Sequence, residues 1–104
     1  MEEENYPQLL FETPFDERAQ DEAAARGYLS HVKVRQSDGR TYSVVFYDCV
    51  RLQQDLEYEV EVGRMCIAEL GMIVVPEITL DNIRTAVETL SDEGYFDGLT
   101  PIDY

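Results

Sequence analysis

Apolar and polar positions alternate from Tyr28 to Arg35. Val32 and Val34 fall on one side and His31, Lys33 and Arg35 on the other, which predicts a strand half exposed to water. A second run, Thr41 to Tyr47, is rich in the β-branched and aromatic residues that suit a pleated sheet. Between them stands Ser37-Asp38-Gly39. A two-residue Asp38-Gly39 turn would pair Val34 with Ser43. A three-residue loop with Gly39 left-handed pairs Val34 with Tyr42, Val32 with Val44 and Ser30 with Phe46. The second register is expected, because it gathers the apolar residues on one face and a slip of one residue would scatter them.

Asp48 is placed to cap a helix in which Cys49, Leu52, Leu56 and Val60 recur at three- and four-residue steps, ending at Gly63. Residues 56–62 also alternate strictly, so a strand competes with the helix there. A second hairpin is predicted from residues 64–69 and 72–75, joined at Leu70-Gly71 and stopped by Pro76. Thr79 then caps a helix with the stripe Leu80, Ile83, Ala86, Val87 and Leu90, closed by Gly94, with Tyr95 and Phe96 folding back on its last turn.

The order ββαββα predicts an α+β two-layer sandwich: a mainly antiparallel four-stranded sheet with two helices on one face. Residues 27–104 form this single domain, and residues 1–26 an acidic, extended N-terminal arm. Val45, Tyr47 and part of 72–75 would point away from the helices and need cover. Tyr6, Leu9, Leu10, Phe11 and Phe15 are too apolar for a free tail, and Pro7 and Pro14 favour an extended path. The arm is therefore expected over the open face or along a sheet edge, with its acids near His31, Lys33 and Arg35.

Charge narrows the partners. Twenty-two acids against eight bases give a net charge of −14 over 104 residues, which repels phosphate backbones and anionic lipid. Nucleic acid and membranes are poor partners. Residues 1–24 alone hold eight acids and one base. No apolar run is long enough to cross a bilayer, and residues 1–6 lack the basic and apolar regions of a signal peptide, so a cytoplasmic protein is expected.

Candidate chemistry is sparse. Cys49 and Cys66 are spaced for neither a zinc motif nor a redox pair; Cys49, at a helix start, could react as a thiolate, but burial is the commoner role of cysteine. His31 is the sole histidine, so no triad or multi-imidazole metal site is assembled around it. Residues 92–98 offer oxygen ligands without the alternating acids of a calcium loop, and no glycine-rich phosphate loop is present, so neither metal nor cofactor is expected. His31, Lys33 and Arg35, with Tyr47, make the candidate binding row, suited to an anion or an acidic segment, although such rows are usually the wet side of a strand. The favoured function is a non-enzymatic protein-binding or regulatory module, in its concrete form an immunity-type inhibitor of a basic partner. A small-ligand binder or small enzyme, with a pocket between sheet and arm and using Cys49 or Tyr47, competes with it. A structural homodimer joined through the open face is the third reading.

Overall fold

The hairpin forms in the expected register. In the computed structural model, which describes residues 5–102, Tyr28–Arg35 and Thr41–Tyr47 pair antiparallel with Val34 opposite Tyr42 and Val32 opposite Val44. Gly39 takes φ 86°, the left-handed conformation that the three-residue loop demands. The register departs at the far end. An irregularity between Leu29 and Val32 places Leu29, not Ser30, opposite Phe46, and His31 sits inside it with φ 61°. One extra residue on this strand turns Leu29 toward the core and lets Tyr28 face Tyr47.

The full order is β1 (Gln8–Phe11), α1 (Glu17–Arg26), β2 (Tyr28–Arg35), β3 (Thr41–Tyr47), α2 (Cys49–Glu61), β4 (Met72–Val74) and α3 (Leu80–Asp92), followed by a 3-10 turn at Tyr95–Gly98. The sheet is mixed, in the order β1-β2-β3-β4. The first two pairings are antiparallel and β3 with β4 is parallel. This fold is α+β with three helices, which corrects the ββαββα order and the second hairpin.

The described part of the arm holds a four-residue strand and a ten-residue helix. Gln8–Phe11 pairs with β2 along the sheet edge, as one of the two expected placements had it. Residues 17–26, however, are helical rather than extended. Asp16 caps them by accepting from the Ala19 amide at 2.9 Å, and Gly27 ends them with φ 68°. Ala, Glu, Gln and Arg are strong helix formers, and that propensity outweighs the absence of a wide apolar stripe. The part of the arm before residue 5 lies outside the described residues.

The expected hairpin at residues 64–75 fails because Gly71 acts as a docking point instead of a turn. Its carbonyl accepts from the Val45 amide at 3.0 Å, and its Cα lies against the Ser43–Val44 backbone. From there Met72, Ile73 and Val74 run parallel to Val45, Phe46 and Tyr47. Residues 64–69 form no strand.

Register decides which residues share a face. Val32, Val34, Tyr42, Val44 and Phe46 pack with Ile73, with Ala23 of α1, with Ile83 and Val87 of α3, and with Phe96. Leu9, Phe11 and Phe15 join the same cluster. The described part of the arm thus seals the edge of the helix-covered side. Two helices do cover one face, but they are α1 and α3. α3 keeps its expected cap, with the Asn82 amide donating to Thr79 Oγ1 at 3.1 Å, and Gly94 is left-handed at φ 79°.

α1 and α2 meet at one tight point. The Asp48 amide donates to the Gly27 carbonyl at 2.9 Å, and a Cβ on Gly27 would fall 2.6 Å from the Asp48 carboxylate.

Two glycines test this account. Gly39 has open space around it, so Gly39→Ala should cost only the left-handed strain, about 1–2 kcal/mol. A Cβ on Gly71 would meet the Ser43 carbonyl oxygen, so Gly71→Ala should lose about 3 kcal/mol or more by lifting β4 from β3. Urea unfolding of both variants gives the comparison; equal losses would contradict the docking role.

Candidate functional site

The four residues of the candidate row do not converge. Lys33 and Arg35 lie side by side on the sheet face opposite the core, against Ser43 and Thr41 of β3, and Leu10 and Gln8 of β1 stand beyond them. Arg35 Nε lies 3.4 Å from Thr41 Oγ1. His31, lifted out by the irregularity, has its Nδ1 3.9 Å from Glu12 Oε2. Tyr47 is on the same face as Lys33 but four residues along β3 from Ser43, and it is buried. Of the expected meetings between arm acids and basic residues, that of Glu12 with His31 falls among the described residues.

Tyr47 belongs to a different cluster, which fastens α2 to the sheet. Its hydroxyl donates to Glu69 Oε1 at 2.6 Å, drawing the segment before Gly71 over this face. Tyr28 meets the Tyr47 ring edge-on at 4.9 Å. The Arg51 guanidinium stands 5.2 Å from the Tyr28 centroid, a cation–π distance. Arg51 Nε also donates to both Asp55 oxygens, at 2.9 and 3.1 Å, and Nη1 to the Arg26 carbonyl at 3.2 Å. Burial, and then the hydrogen bond to Glu69, push the Tyr47 phenol well above its ordinary range. A neutral, hydrogen-bonded phenol in this setting is a structural tie.

Beyond its first turn α2 touches little. Asp48 caps it through the Arg51 amide at 2.8 Å, and helix wins over strand across residues 56–61. Yet none of its residues is buried. A helix joining two parallel strands ordinarily packs on their sheet. This one leaves Leu56 38%, Val60 43% and Tyr58 63% exposed, and Leu70, just before β4, 91% exposed. The chain is correspondingly long, with a radius of gyration of 14.6 Å against about 13 Å for a compact domain of this size. The stripe Cys49, Leu52, Leu56, Val60 exists as the spacing predicts, but it is incompletely covered: Leu52 is half-buried and the other three are exposed. Both cysteines are free and exposed, which corrects the expectation of packed thiols.

Charge frames the stripe. Each residue advances about 100° round the helix, so Glu57 and Glu61 lie on one flank of Leu56 and Val60, and Asp55 and Glu59 on the other. Asp55 is held by Arg51, and Glu59 lies 4.0 Å from Arg64.

A cleft of about 470 Å³ lies between β2 and the arm, where the ligand-binding reading places its pocket. Its floor includes the stacked rings of Phe11 and Phe15, 4.6 Å apart, and its rim carries Glu12, Glu22, Arg26 and His31. The rim is wet: the side chains of Glu12, Glu22 and His31 are 68%, 54% and 72% exposed. Charges so screened hold a small ligand weakly.

No protein-family model, curated protein or solved structure matches this chain. No helix among the described residues is long and apolar enough to cross a membrane.

Tyr47→Phe removes the tie to Glu69 and should cost about 1 kcal/mol at neutral pH. The sign at high pH follows from the raised phenol: unfolded chains release this proton near pH 10 while folded chains retain it, so stability is full below that pH and falls above it. Denaturant midpoints measured from pH 8 to 11 should fall more steeply for the native protein than for Tyr47→Phe.

Proposed function

We propose that this chain is a non-enzymatic protein-binding module, and that α2 with the segment leading to β4 is its contact surface. The observation that carries the reading is a capped helix with no buried residue, apolar side chains left exposed from Leu56 to Val62, and acids on both flanks of Leu56 and Val60. Exposed apolar surface of this extent on a small domain usually marks a place where another protein sits. The complementary partner has an apolar groove with lysine or arginine along both rims. A second copy of the chain fits this surface poorly, because it would bring like-charged glutamates together.

An inhibitor of the immunity type, covering a basic cleft, is the concrete form of this role. A charge of −14 would speed its encounter with such a partner. Two exposed free thiols fit a reducing, cytoplasmic setting.

The test uses the full chain as bait at low salt. Leu56→Ala/Val60→Ala and Glu57→Lys/Glu61→Lys should each weaken capture of the same basic protein by roughly tenfold or more, while changing stability by no more than about 0.5 kcal/mol. Raising the salt should release the partner from the native protein. Equal capture by all three baits would remove α2 as the contact surface.

A further inference from the structure

The sheet ends at β1, and an end strand turns alternate amides and carbonyls toward open space. Gln8–Phe11 is short, but it contains no charge and no proline to blunt the edge. Along this edge runs a groove of about 750 Å³, walled by residues 5–11 on one side and by Arg84 and Glu88 of α3 on the other. These two exposed side chains are one helical turn apart, and neither forms an ion pair with a described residue.

We propose that this edge is the interface of a homodimer, in which β1 pairs antiparallel with the β1 of a second copy and the two α3 helices face each other across the joined groove. The dyad runs perpendicular to the sheet, which keeps the helix-covered faces on one side and reverses the direction of α3 between copies. Arg84 of one copy then stands opposite the partner's Glu88, and Glu88 opposite the partner's Arg84. A patch carrying one base and one acid in line is its own electrostatic complement only under this symmetry. An unrelated extended peptide would have to bring the same two charges in the opposite order.

The pleat limits the register, since directly opposed residues must share a face. Leu10 opposite the partner's Leu10 meets that condition and sets Leu9 against the partner's Phe11 twice on the core side. Both Leu9 and Phe11 are only partly buried in the single chain, so pairing removes further apolar surface from water. Pro7 falls outside the paired residues. The area is small for a permanent assembly, so dissociation in the micromolar range is expected.

Sedimentation across micromolar concentrations tests the proposal on the native chain, Arg84→Glu, Glu88→Arg and the double exchange. The native chain should pass from monomer to dimer. Each single reversal sets like charges opposite each other and should raise the dissociation constant by roughly tenfold, and the double exchange should restore it. Both sites of change are exposed helix positions, so circular dichroism should show the fold intact in every variant. A native chain that stays monomeric throughout would overturn the proposal, as would single reversals that dimerise like the native chain or an exchange that fails to restore pairing. The α2 variants Leu56→Ala/Val60→Ala should dimerise normally, which keeps this result separate from the binding reading.

Discussion

The pairing of β2 with β3 is consistent with both neighbouring layers only because β2 carries an extra residue. With a regular ladder Ser30 would oppose Phe46 in the core, and Leu29 would point to water. The irregularity at Ser30 and His31 puts Leu29 beside Phe46 and Tyr28 beside Tyr47. Its cost is one non-glycine residue at φ 61°, on the order of 1 kcal/mol. That is offset by turning Leu29 into the core beside Phe46, which gains part of the roughly 1.5–3 kcal/mol that full burial of a leucine side chain is worth. The opposite face depends on the same shift, since Tyr28 is where Arg51 rests and Arg51 anchors the start of α2.

From that anchor α2 proceeds on local interactions. A capping aspartate, the Arg51–Asp55 pair and the Gln53–Glu57 hydrogen bond support it, each worth a fraction of a kilocalorie to about one. Thirteen residues without a buried face are close to the limit of helix stability in water. The fold therefore concentrates its burial in the hairpin, α1, α3 and Phe96, and carries α2 at the periphery. A helix retained on such terms is easiest to understand if another surface supplies the missing contacts.

Much of this was legible wherever one physical signal acted alone. The Ser37-Asp38-Gly39 loop set the register through Gly39, and Thr79 with the Ile83–Val87 stripe identified α3. The α1 helix escaped because its signal lay in propensity and caps, Asp16 and Gly27, while its inward residues are alanines that add little periodicity. The second hairpin was misread because Leu70-Gly71 has the composition of a turn, and only the backbone contact with Ser43 makes it a parallel docking point. The candidate row was legible as a face for Lys33 and Arg35. His31 and Tyr47 left it because the extra residue on β2 and the Glu69 carboxylate act across the sequence. The incomplete cover of the α2 stripe has no local signature, since spacing describes a face and not what meets it.

Gly27 and Asp48 bear on how such a sequence can drift. The helix-ending backbone at 27 and the capping carboxylate at 48 occupy the same few ångströms, although twenty-one positions separate them. Any side chain gained at the first position displaces the cap of α2, and any bulkier cap presses on the end of α1. The room at one position is consequently set by the size of the other, so that a side chain at 27 calls for a smaller residue at 48.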